Sequence, residues 1–115
     1  MLDGVFARGT TPTQIFPLPE PVKMSDLEDF TITYRQKGKN VFVKHKKDTC
    51  HIPEIDPQSN IVIVLSQEDT FSLNPKINIV EVQIKGASVG SDVLILGNYR
   101  FRLEDCYDPQ EFNLK

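Results

Sequence analysis

The chain has 115 residues, 39% hydrophobic and 25% charged, with a formal net charge of −3 at pH 7. That is one domain's length, able to bury roughly two-thirds of the surface its unfolded form exposes, and an ordinary globular composition excludes disorder. The mild charge gives no push towards nucleic acid or an anionic membrane, no run approaches the ~20 apolar residues of a span, and two cysteines are too few for a disulfide scaffold.

The opening Gly4-Val5-Phe6-Ala7-Arg8-Gly9-Thr10-Thr11-Pro12-Thr13 brackets a tight turn between Gly9 and Pro12, since glycine takes positive φ and proline fixes φ near −65°. Ile15-Phe16-Pro17-Leu18 then reads as an edge strand, because Pro17 and Pro19 could not sit in a central ladder. Ser25-Asp26-Leu27-Glu28 is a short helix-start signal ahead of Phe30-Thr31-Ile32-Thr33-Tyr34-Arg35, whose alternation puts Phe30, Ile32 and Tyr34 on one face. Gly38-Lys39 marks a hairpin turn into Asn40–Lys46, where Phe42, Lys44 and Lys46 share one face and Val41 and Val43 the other.

Residues 47–59 contain Pro53 and Pro57 and read as irregular, with a strand-like piece at Cys50-His51-Ile52. Ile61–Leu65 is apolar on both faces and predicts a central strand. Ser66-Gln67-Glu68-Asp69 caps a helix that Pro75 limits to one or two turns. Ile77–Lys85 is the longest strand, with Val80, Val82 and Ile84 inward. A loose turn over Gly86–Gly90 leads to Val93–Leu96, again apolar on both faces, and then to Tyr99, Phe101 and Leu103 alternating with Arg100, Arg102 and Glu104.

These elements predict a single all-β domain over 1–115, an immunoglobulin-like β-sandwich of six to seven short antiparallel strands with one or two short helical turns. Residues 1–12 form an N-terminal arm and turn in this reading, and 105–115 an irregular acidic tail. A sandwich covers only one face of each sheet. The two-sided apolar strands therefore require either covering loops or contact with another subunit.

The chain offers little catalytic chemistry. Cys50, His51, His45 and Cys106 are the only residues that suggest a metal set, and their spacing lacks the usual paired ligands. Adjacent Cys50 and His51 project to opposite sides of a strand, which suits a nucleophile–base pair poorly. The carboxylates sit scattered at turns and read as caps and solvated loops. Gly86–Gly90 lacks the lysine of a phosphate loop. No enzyme activity and no cofactor are expected. Positive charge concentrates instead in the hairpin 35–47. The candidate interaction surface is Arg8, Arg35, Lys37, Lys39, Phe42, Lys44, Lys46 and Lys47. Basic residues interleaved with aromatics suit single-stranded nucleic acid, and lysines on an edge strand also guard against aggregation.

The segment Arg8–Thr13, "RGTTPT", ahead of a first strand resembles a family of small proteins encoded among the structural genes of phages and prophages in Gram-positive bacteria. Further segments follow in the same order: Asp26-Leu27, Tyr34–Gly38, Leu65–Thr70 (similar to "LTQEET"), Val82–Lys85 (similar to "IQLK") and Ser91-Asp92-Val93 (similar to "SDI"). The loop 48–59 is longer than the family pattern, and the chain beyond Asn98 departs from it. The resemblance implies a non-enzymatic structural protein, a tail or baseplate-region component or an assembly factor. Its partners would be other phage structural proteins, with self-association an open option, and no membrane. It would reside in the host cytoplasm during assembly and then in the virion. The alternatives are a nucleic-acid-binding accessory protein using the basic hairpin, with nucleic acid the less expected partner, and a carbohydrate-binding adhesion module, which the absence of tryptophan disfavours.

Overall fold

Alternation along the chain builds one wide sheet. The computed structural model describes residues 2–90 and 92–106. Its strands are β1 (Gly4–Ala7), β2 (Thr13–Pro17), β3 (Leu27–Gln36), β4 (Lys39–His45), β5 (Asn60–Val64), β6 (Ile79–Ser88) and β7 (Val93–Glu104), with one helix, α1 (Gln67–Phe71). Single 3₁₀ turns lie at Met24–Asp26 and Lys46–Asp48. The five-stranded sheet has the order β1-β7-β6-β3-β4, and β2 pairs with β5 in a second, two-stranded sheet.

The inward faces follow the alternation. Phe30, Ile32 and Tyr34 on β3 and Val80, Val82 and Ile84 on β6 are buried, while Glu81, Gln83 and Lys85 face water. From the other layer Phe16 on β2 packs on Tyr99 and Phe101, with ring centroids 4.8 and 6.3 Å away. Ile61, Ile63, Leu65 and Leu73 complete the same cluster. The layers are also joined by a buried hydrogen bond, the Tyr34 hydroxyl donating to Gln14 Oε1 at 2.5 Å. Burial, and secondarily the charge of Asp69, push the Tyr34 phenol well above its ordinary pKa, so it stays a donor.

The structure is mostly β, as expected, but the immunoglobulin-like arrangement is not confirmed. β1 lies inside the segment expected as an arm, and it runs parallel to β7, with Gly4 opposite Phe101 and Ala7 opposite Glu104. The sheet is therefore mixed. β5 is not a central strand: it pairs with β2 on one side and meets Thr49 and Cys50 on the other. β6 continues through Gly86 to Ser88, where a turn was expected. At Gly86 a Cβ would press on the end of the Leu96 side chain, which would have to shift. The helix after Ser66 forms as expected and is a single turn. Of the tail 105–115, Asp105 and Cys106 are described, and 107–115 lie outside the described residues.

Two stability outcomes follow. Tyr34→Phe leaves Gln14 Oε1 buried without its donor and should cost about 1–3 kcal/mol in chemical denaturation. The β3–β4 turn places Lys37 at φ 48° and Gly38 at φ 78°. Positive φ at both central residues of a two-residue turn favours Asn-Gly. Lys37→Asn should therefore raise the thermal midpoint, by the equivalent of about 0.5–1 kcal/mol.

Candidate interaction surfaces

The residues expected to form a basic surface are divided among separate structural duties. Arg8 leaves the end of β1 and turns its guanidinium onto α1. Its Nε donates to the Leu73 carbonyl at 2.9 Å, Nη2 to the Phe71 carbonyl at 3.0 Å, and Nη1 to Asp105 Oδ1 at 2.9 Å. It also lies over the Phe71 ring, 5.4 Å from the centroid. A cation that satisfies carbonyls at the end of a helix is a C-terminal cap. The Arg8 contact, followed by the backbone bond from Cys106, holds the exposed Asp105 carboxyl below its ordinary range.

Gly9 and Thr10 continue the joint. The Gly9 N–H donates to Thr70 Oγ1 at 2.9 Å, and that hydroxyl donates to the Thr10 carbonyl at 2.9 Å. Gly9 has φ 76°, and a Cβ there would enter the Phe71 ring. The opening "RGTTPT" and the segment Leu65–Thr70, remote in sequence, are thus the two halves of one internal joint.

The hairpin residues turn inward for a different reason. The tight turn pairs Gln36 with Lys39 and Arg35 with Asn40, and a regular ladder would then set Tyr34 against Val41. A β-bulge intervenes, so Tyr34 faces Phe42 and Ile32 faces Lys44. One extra residue sends the following side chains to the opposite face. Phe42 and Lys44 share a face, as expected, but it is the face of the core. Phe42 stacks on Tyr34 at 4.4 Å. Lys44 Nζ reaches Asp69 Oδ2 at 2.7 Å, with only 21% and 16% of the two side chains exposed.

Asp69 is itself part of the α1 cap, its Oδ2 accepting from the Ser66 N–H while its own N–H donates to Ser66 Oγ. Burial pushes the Asp69 carboxyl upward, but the Lys44 ammonium and the Ser66 bonds outweigh it and hold the pKa below 3.8.

Lys46 Nζ donates to the Leu27 carbonyl at 2.7 Å. Arg35 Nη2 donates to the Gly38 carbonyl at 3.0 Å, which closes the hairpin turn, while its Nε is buried without a partner. Lys37, Lys39 and Lys47 stay exposed. Lys37 and Lys39 lie at the turn and Lys47 beyond the opposite end of β4, a strand's length of about 20 Å away. The expected residues do not form one continuous basic face.

A different surface stands out. Of the two strands apolar on both faces, β5 is covered, with Ile61, Val62 and Ile63 buried and only Val64 open. The start of β7 is not. Val93, Leu94 and Ile95 are 63%, 39% and 53% exposed, and Val89 in the adjoining turn is 68% exposed. Val93 also lines a shallow hollow of about 170 Å³ with Thr31, Lys85 and Ala87 on the outer face. The sequence signal for this site was the two-sided apolar run itself. A larger cleft of about 400 Å³ opens between β1 and β2, lined by Gln14, Phe16, Tyr99 and Phe101.

The cysteines and histidines do not converge. Among the described residues no group of three or more His, Cys, Asp or Glu side chains is placed to hold a metal ion. His45 Nδ1 lies 3.6 Å from Asp29 Oδ2 at the end of β4, while Cys50 and His51 line the hollow beside β5. Among the described residues no helix is long and apolar enough to cross a membrane.

The chain matches no family model, and no curated protein or solved structure is significantly similar to it.

The Lys44–Asp69 contact has a pH signature. A carboxyl whose folded pKa is depressed stabilises the fold above its unfolded value, and that stability is lost as pH falls through the folded value. Asp69→Asn should destabilise the protein at neutral pH, and its deficit against the parent should close as pH falls below 3.8. Denaturation midpoints measured across acid pH check this, with a deficit independent of pH as the contrary result.

Proposed function

We propose that this protein is a non-enzymatic component of a phage or prophage structural module, a tail or baseplate-region protein or an assembly factor, acting through protein–protein contact. Two independent lines support the reading. The colinear resemblance of segments from Arg8 to Val93 points to the structural genes of phages. The apolar end of the β6–β7 hairpin, with Val89, Val93, Leu94 and Ile95 exposed together, is the observation that carries the mode of action. Contiguous exposed apolar side chains rimmed by polar ones mark contact surfaces. In this reading the partners are other phage structural proteins. The protein is at work in the bacterial cytoplasm during assembly and then in the particle.

The nucleic-acid reading of hairpin 35–47 finds less support in the geometry, since Lys44 and Lys46 are engaged internally and Phe42 is stacked on Tyr34. Base stacking needs an open aromatic face.

Mass spectrometry of purified particles from an induced source strain tests the proposal, with copy number scaled to the major capsid protein. Several copies per particle are expected of a virion component, and presence in the lysate alone of an assembly factor. Absence from both the particles and every assembly intermediate would overturn the reading.

A further inference from the structure

A β-sheet edge left bare is a template for another strand, and soluble proteins blunt such edges with charge, proline, a bulge or a covering segment. The two sheets end at β1 and β4 and at β2 and β5, and each of these edges is blunted, β1 by being only four residues long. β4 carries Lys39 and Lys44. β2 is flanked by Pro12 and Pro19 and ends in Pro17. β5 is capped by Thr49 and Cys50, the Cys50 N–H donating to the Val62 carbonyl at 3.0 Å.

A further stretch of bare edge belongs to β7, which runs past the end of β1. β1 covers it only from Phe101 to Glu104, extended by the Asp3 N–H bond to the Arg100 carbonyl. From Val93 to Tyr99, β7 is paired with β6 alone, and among the described residues no backbone bond joins it to any other segment. This stretch, Val-Leu-Ile-Leu-Gly-Asn-Tyr, has no charged residue and no proline. Its first three residues, Val93, Leu94 and Ile95, are the ones whose side chains are exposed on both faces.

We infer that the free edge of β7 pairs antiparallel with the same edge of a second copy, about a twofold axis at Leu94, joining two five-stranded sheets into one. Charge selects this occupant. Next to the axis of a twofold antiparallel pair each residue meets its own copy or a near neighbour of it, so a charge there would lie against a like charge. Val93–Ile95 carries none, whereas the same pairing through β4 would bring lysines together. The side chains are self-complementary too. On the outer face Val93 meets Ile95 of the other copy, and on the inner face Leu94 meets its own equivalent. β1 limits the register by occupying the edge beyond Tyr99. The bulge that turns Leu96 into the core ends the flat stretch at Ile95.

The inference rests on reading the β6–β7 tip as a contact surface and names its partner. Sedimentation of the intact protein from micromolar to near-millimolar concentration tests it, separately from any finding on particles. A dimer is expected, and Ile95→Lys should weaken it tenfold or more while the far-UV spectrum and melting midpoint stay those of the parent. Val43→Lys, at an exposed position on β4, should leave it unchanged. If Ile95→Lys folds poorly, Val93→Lys takes its place. A monomer at every concentration would overturn the inference. So would a dimer indifferent to both β7 substitutions. Either result would leave the particle test to stand by itself.

Discussion

Five strands at the usual spacing span roughly 24 Å, and two span less than half of that, so the second layer here cannot cover the first. Everything else in the molecule answers to this mismatch. α1 and the loop after it, not another strand, close the gap opposite β3 and β4. The loop is held by buried Gln36, which donates to the Asn74 and Ile77 carbonyls and accepts from the Asn74 N–H. The opening turn reaches across to α1 through Arg8, Gly9 and Thr70. At the far end of the β6–β7 hairpin the Val89 N–H donates to the Asp26 carbonyl at 2.9 Å, but the side chains of Val89, Val93, Leu94 and Ile95 remain open.

A single turn of helix has little stability of its own, because nucleation is costly and few intrahelical bonds repay it. α1 is instead tied at both ends. Ser66 and Asp69 cap its start, Lys44 fixes Asp69 from the sheet, and Arg8 takes the carbonyls at its end. Two cations that composition places on a basic surface are thereby spent on positioning one helical turn.

Strand existence and inward parity were legible for β3, β6 and the second half of β7, because period-2 alternation reports directly which face is buried. The capped turn at Ser66 was legible for the same kind of local reason. β1 was not: four residues between turn signals carry no periodicity, and their partner strand lies at the other end of the chain. The direction of Phe42 and Lys44 was hidden by the bulge. Their shared face could be read from the alternation, but a one-residue insertion in the ladder leaves no mark on composition, and it exchanges inside for outside. With β7 the pattern was visible and its meaning was not. Apolar residues on both faces are equally compatible with a buried strand, as β5 turned out to be, and with an uncovered one.

The parallel pairing of β1 with the last third of β7 carries a consequence for how the molecule is made. Contacts between remote parts of a chain form slowly, because closing so long a loop must precede any gain from the contact. During synthesis β1 leaves the ribosome first and has no partner until the residues from Phe101 onward follow it. Arg8, Gly9 and Thr10 can engage α1 earlier, since Thr70 is translated well before β7. The joint to α1 would thus hold the opening segment close to the growing sheet, so that the closing strand docks onto a neighbour already in place.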